Sequence, residues 1–247
     1  MGIDVVNKRI FFAENHQKLL DTSEIEKPWV DEIRYQSEKM IIYSIFKRRR
    51  SKRGNSRGDG NPFIYALKQQ KGYQMKCSEI VKIKPFFEHN LSVCLNALDF
   101  DCIVLSPSYY GITNFLASRI LRVKPNISIY KGVFQKVKNA DILQQIETNI
   151  LPKVKDSSDR RFYTSLLHEL TKYSDVSFSM KNIRPKYRKG LLVYKFSSCF
   201  DTQTLKGKKA LLIDDLLSTG TSLWAAKNLL ERKNILSVQF LCLFSAL

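Results

Sequence analysis

Leu211-Leu212-Ile213-Asp214-Asp215-Leu216-Leu217-Ser218-Thr219-Gly220-Thr221-Ser222 is the stretch on which the reading of this chain turns. It opens with an apolar run, reaches two adjacent carboxylates, passes two further apolar residues and enters a small polar turn containing a glycine. Leu223, Ala226 and Leu230 follow at helical spacing, so the order is strand, turn, helix. A turn of this kind at a helix N-terminus presents backbone N–H groups and several hydroxyls where the helix dipole also favours an anion. A phosphate monoester fits. Asp214 and Asp215 stand at the carboxyl end of a buried strand, where α/β sheets place their ligands. Carboxylates cannot stay charged in an apolar core without partners, so both are expected to face an open site, and sugar hydroxyls are natural donors to them. An ordinary helix cap is the plain alternative for the turn alone.

Outward from this element, residues from about 100 onward alternate strand and helix, which predicts a mainly parallel sheet covered on both faces. The expected strands are Cys102 to Leu105, Ile127 to Tyr130, Leu191 to Phe196, Ala210 to Ile213 and Val238 to Phe244. Ile112, Phe115, Leu116 and Ile120 share a helix face. Ile142, Ile146 and Ile150, then Phe162, Leu166 and Leu170, predict a helical insert near residues 139–175, interrupted at Pro152. Before residue 100, Trp29, Ile33, Met40, Ile41 and Ile45 predict a helix that gives way at a basic tract, and Asn61-Pro62 opens a short helix toward Gly72. The domain division expected is a helical and basic extension over 1–60 and an α/β domain over 61–247.

Within 247 residues, 41 Lys and Arg against 23 Asp and Glu leave a net charge of +18. Lys47, Arg48, Arg49, Arg50, Lys52, Arg53 and Arg57 form the densest tract, yet the charge without them is still strongly positive. Such a field attracts polyanions, either nucleic acid or a heavily phosphorylated small substrate, and it also serves solubility. Cys77, Cys94, Cys102, Cys199 and Cys242 lack C-x-x-C spacing and the histidines are isolated, so free thiols and no zinc site are expected. No apolar run is long enough for a membrane span and the start is not a signal peptide, so the expected location is cytoplasmic.

The Leu211–Ser222 stretch resembles the signature of the type I phosphoribosyltransferases: an apolar strand, two acidic residues, two apolar residues and T-T-G-x-T or a close variant. The resemblance implies the α/β fold of that family, an enzyme of the glycosyltransferase class, and 5-phosphoribosyl pyrophosphate (PRPP) as ligand, with Mg²⁺ as cofactor. Asp214 and Asp215 would hold the ribose hydroxyls, act as the catalytic pair and lie near the metal; Ser218, Thr219, Gly220, Thr221 and Ser222 would bind the 5′-phosphate. Ser218 stands where 6-oxopurine members carry a third acidic residue, which weakens a purine-salvage assignment.

Residues 101–121 look like the family's first core strand, pyrophosphate loop and helix, in a layout similar to the ComF-like branch. Ser106, Ser108, Tyr109 and Tyr110 are the candidate loop contacts, without the usual basic residue. Ser-Pro-Ser is equally a good turn. Residues 179–190 occupy the place of the family's cationic hood, with Lys181, Arg184, Lys186, Arg188 and Lys189, and read equally as a solvated basic loop. Three functions follow: transfer of the phosphoribosyl group to an unidentified acceptor; PRPP sensing by a nucleic-acid-binding regulator; and, by analogy, an effector docking on nucleic acid and reverse transcriptase in a bacterial retron-type antiphage system. A homo-oligomer built through the N-terminal arm and a sheet edge is compatible with each.

Overall fold

The computed structural model describes residues 1–35, 38–49, 62–108, 111–180, 183–188 and 190–246. In chain order these form β1 (Gly2–Val6), β2 (Arg9–Ala13), β3 (Leu20–Asp21), β4 (Trp29–Tyr35), β5 (Glu38–Arg48), α1 (Pro62–Leu67), β6 (Gln74–Met75) and α2 (Cys77–Asn96). Next come β7 (Cys102–Leu105), α3 (Ile112–Val123), β8 (Ser128–Tyr130), β9 (Phe134–Lys136), α4 (Asn139–Gln145) and α5 (Ser157–Thr171). The chain then forms β10 (Tyr194–Phe196), β11 (Lys209–Leu216), α6 (Thr221–Glu231) and β12 (Ser237–Ala246).

The expected N-terminal helix is replaced by strands. β4 and β5 pair antiparallel from Trp29 opposite Ser44 to Tyr35 opposite Glu38. Trp29 and Ile33 are four residues apart, as are Ile41 and Ile45, and a separation of four returns to the same side of a strand as well as of a helix. Burial in β4 alternates strictly from Trp29 to Arg34, which is the period of a pleat. Isoleucine-rich β5 also prefers extended backbone. α2 is an element that the sequence reading did not resolve; its buried Ile83, Phe87, Leu91, Cys94 and Leu95 follow the helical period.

The main sheet runs β3-β5-β12-β11-β7-β8, with β4 on the same edge of β5 as β3. β5, β12, β11, β7 and β8 are mutually parallel, whereas β3 and β4 are antiparallel to β5. Strands from both sides of residue 60 therefore share one sheet. β10 departs from expectation: it is shorter than Leu191–Phe196 and pairs antiparallel with β9 in a separate ribbon. Both places beside β11 are taken by β7 and β12, a fact that alternation within a short strand does not reveal.

Period-2 alternation sends neighbouring side chains of the sheet into two cores. Ala210 and Leu212, Cys102 and Val104, and Met40 and Ile42 join α4, α5, α6, β9 and β10 on one face. Leu211 and Ile213, Ile103 and Leu105, and Tyr43 and Ile45 join α1, α2, α3, β1 and β2 on the other. The helical insert is present as α4 and α5, joined through a π turn over Ile146–Ile150 and a 3₁₀ turn over Leu151–Lys153 that contains Pro152. No helix among the described residues is long and apolar enough to cross a membrane.

Candidate functional site

The two carboxylates emerge where β11 leaves the core: Leu211, Leu212 and Ile213 are fully buried, while Asp214 and Asp215 are only partly covered. Asp214 accepts hydrogen bonds from the Ser106 hydroxyl at 2.7 Å and from the Asp215 amide at 2.8 Å. Asp215 forms an ion pair with Lys68, whose Nζ lies 2.7 Å from Oδ2. Burial pushes the Asp214 carboxyl up, to about 7, and the adjacent charge of Asp215 adds to the rise; Ser106, the Asp215 amide and Lys68 oppose it.

After Leu217, whose amide donates to the Phe244 carbonyl at 2.8 Å, the chain turns into α6. Gly220 takes φ 73°, a left-handed conformation natural to glycine, and its carbonyl accepts from the Trp224 amide at 2.9 Å. The turn also needs a residue without a side chain for space: a Cβ at Gly220 would lie 2.7 Å from Ile33 Cδ1. The first N–H groups of α6 have no partners within the helix and converge with the helix dipole on one spot.

Hydroxyls line this turn. Thr219 and Thr221 Oγ1 atoms are 2.9 Å apart, and Tyr35 on β4 places its hydroxyl 2.8 Å from Thr221 Oγ1 while donating to the Thr219 carbonyl at 2.7 Å. The Tyr35 ring stacks on Trp224 at 5.1 Å, so the N-terminal hairpin holds the start of α6 by stacking and by hydrogen bonding. Tyr194 on β10 reaches the same end of the sheet; burial, with Asp214 and Asp215 adding and Ser222 opposing, holds its phenol protonated well above the usual range.

Beside β7, the Ser106 amide donates to the Ile213 carbonyl at 3.0 Å, which locks the start of this loop to β11. The Ser108 hydroxyl oxygen is buried with no hydrogen-bond partner among the described residues. A buried hydroxyl left in this condition is a place where a ligand oxygen would be welcome. Tyr109 and Tyr110 lie outside the described residues, as do Lys181 and Lys189 of the expected hood.

Of the rest of that hood, Lys186 and Arg188 are held by the chain itself. Lys186 pairs with Asp159 of α5 at 2.5 Å, the Tyr187 ring stacks on Phe162 at 3.7 Å, and Arg188 is buried with Nε donating to the Ile183 carbonyl at 2.7 Å. Arg184 is exposed. Of the basic tract, Arg50, Lys52, Arg53 and Arg57 are outside the described residues. Lys47 and Arg48 are each 4% exposed, because they lie on the last residues of β5 inside the sheet, and the Lys47 ammonium pairs with Asp31 at 2.5 Å. Lys47 and Arg48, expected as nucleic-acid contacts, are thus buried in this structure. Arg49 is more open and binds Asp21 at 3.1 Å and Gln17 at 2.7 Å.

The fold therefore brings together Ser106, Asp214, Asp215, Thr219, Gly220, Thr221 and Ser222, and adds Tyr35, Lys68 and Tyr194, which no motif signalled. Among the described residues no group of three or more His, Cys, Asp or Glu gathers to cage a metal. The comparisons give one family: the model described as phosphoribosyl transferase domain matches residues 162–247, from within α5 to the end of the chain. That match contains β11 and α6 and supports a transferase of the phosphoribosyltransferase type. Among curated proteins, none matches the chain.

Proposed function

We propose that the matched phosphoribosyl transferase segment works as its family does, binding PRPP with Mg²⁺ and transferring the phosphoribosyl group to an acceptor. The observation that carries this reading is the pair Asp214-Asp215 at the carboxyl end of a parallel strand, one short turn before the N-terminus of α6. The N–H groups of that helix end and the hydroxyls of Ser218, Thr219, Thr221 and Ser222 would hold the 5′-phosphate. Asp214 and Asp215 would accept the ribose hydroxyls, a role that suits partly covered carboxylates at a strand end.

The residues fit Mg²⁺ of the kind that keeps its waters and is carried largely by ligand phosphates, since it asks for only one or two carboxylates and Asp214 and Asp215 would supply them. When bound, the ion would neutralise charge on the departing diphosphate. The chain's own contribution is positioning. The phosphate held at α6 and the hydroxyls held at the aspartates would fix the sugar beside the loop after β7, whose Ser106 touches Asp214. The C1–O bond breaks with its electron pair leaving on the diphosphate, the acceptor forms the new bond at C1, and the acceptor loses its proton.

Calorimetric titration of the full chain with PRPP and Mg²⁺ tests this reading. Wild-type binding that Asp214→Asn/Asp215→Asn abolishes upholds it, and a wild type that takes no PRPP overturns it.

A second reading, nucleic-acid binding with the same site as a sensor, draws support from a shallow cleft on α5 lined by Ser157, Arg160, Arg161, Thr164, Ser165 and His168. Two arginines beside hydroxyls on one open face suit a phosphate backbone. Arg160→Glu/Arg161→Glu should then flatten the salt dependence of nucleic-acid affinity, and an unchanged slope removes this face from the reading.

A further inference from the structure

Lys68 reaches the aspartates from a part of the chain that the family match does not include. Its backbone is fixed by packing. Phe63, Ile64 and Ala66 of α1 are buried, and Phe63 meets Phe12 and Phe244 edge-on at 5.5 and 5.4 Å. Phe244 is the β12 partner of Leu216, the residue immediately after Asp215, so α1 is anchored at the carboxyl end of β11. The Lys68 amide continues the last helical turn by donating to the Ile64 carbonyl at 2.9 Å. From that fixed point the side chain extends to Asp215 Oδ2 at 2.7 Å, with 17% of the lysine side chain and 15% of the aspartate side chain exposed.

The charges at this end of the sheet make the position informative. A sugar carrying phosphates must approach two adjacent carboxylates, and of the described hydroxyls in the loop after β7 that of Ser106 is already donated to Asp214 while that of Ser108 is buried. A ligand anion therefore needs a cation close to Asp215. Lysine suits the role: its compact ammonium carries three donors on a flexible stem, so it can keep Asp215 while engaging an incoming anion.

Resting on the ribose-phosphate reading above, we propose that Lys68 is a ligand-binding, specificity-determining residue. Its ammonium, held on Asp215, engages the anionic substituent at C1 of the bound sugar. Lys68 thereby separates a ribose 5-phosphate bearing a diphosphate at C1 from one bearing a hydroxyl there.

The test uses the full chain with Mg²⁺, PRPP and ribose 5-phosphate, comparing wild type, Lys68→Met and Lys68→Arg by calorimetry. Lys68→Met should lose about tenfold or more in PRPP affinity, with ribose 5-phosphate changed by less than about threefold, and Lys68→Arg should recover most of the PRPP affinity. Unchanged or tighter PRPP binding by Lys68→Met overturns the proposal, because the lysine would then only obstruct the aspartates. Equal losses for both ligands, without recovery in Lys68→Arg, overturn it in favour of a structural role. A wild type that binds ribose 5-phosphate as tightly as PRPP overturns the lysine's role while the ribose-phosphate reading stands; a wild type that binds neither removes both.

Discussion

Asp214 joins the local chemistry of one side chain to the behaviour of the site. Its carboxyl is pushed up to about 7 by burial first and by Asp215 second. Sugar hydroxyls donate to the ionised form, so binding draws the proton off. The sign follows: PRPP affinity should rise as pH increases through about 7 and level off above it, with proton release on binding near neutrality. Titrations in buffers of different ionisation enthalpy read that release directly, and a pH-independent heat and affinity would contradict it. Gly220 gives a second residue-scale expectation. Gly220→Ala forces a side chain into φ 73° and toward Ile33, so stability should fall by about 1–3 kcal/mol, seen in denaturant unfolding, and ligand affinity should fall with it.

At the scale of elements, the β4–β5 hairpin joins the N-terminal part of the chain to the site. It places Tyr35 against Thr219, Thr221 and Trp224, while its far end is tied by the Lys47–Asp31 pair. The Lys47 side chain is 5% exposed and that of Asp31 is 23% exposed, so removing the carboxylate strands a buried ammonium. Asp31→Ala should cost about 2–4 kcal/mol, toward the lower figure because Asp31 keeps some water. Adding Lys47→Met should recover most of the loss. A single variant as stable as wild type would show that the pair is solvated in solution. The helical insert shows the limits of local pattern: α4 and α5 were readable from their apolar spacing, but the docking of Lys186 and Tyr187 onto α5 was not. Those residues stand close to Asp159 only after the insert has folded back.

Across the whole molecule, β5 lies beside β12 in the sheet and carries Ile42, Ile45 and Phe46 into its two cores. A fragment covering 61–247 would uncover the edge of β12 and apolar surface on both faces. We expect such a fragment to aggregate or to lose cooperative unfolding, whereas the full chain unfolds as a unit; size-exclusion chromatography and thermal unfolding decide it. A soluble, cooperative fragment would show instead that residues 1–60 are a dispensable extension. The segment matching the phosphoribosyl transferase family, 162–247, depends on neighbours in the same way, since β11 lies between β7 and β12.

The amino-acid sequence by itself determined the strand, turn and helix around Leu211–Ser222, the parallel strands β7, β8, β11 and β12 with their helices, and the carboxylates with their hydroxyl-rich turn. Each of these is written in a local period or a short run of residue types. The tertiary structure alone decided that the N-terminal segment is strand, since apolar residues four apart satisfy a helix and a pleat alike, and the pairing of β4 with β5 and of β5 with β12 separates them. It also decided the company of the aspartates. Ser106 reaches Asp214 across 108 residues and Tyr35 reaches Thr219 across 184, and Lys68 comes to Asp215 from the end of a helix anchored on Phe244. Such meetings are fixed by packing of distant surfaces, and neither composition nor spacing along the chain carries a trace of them.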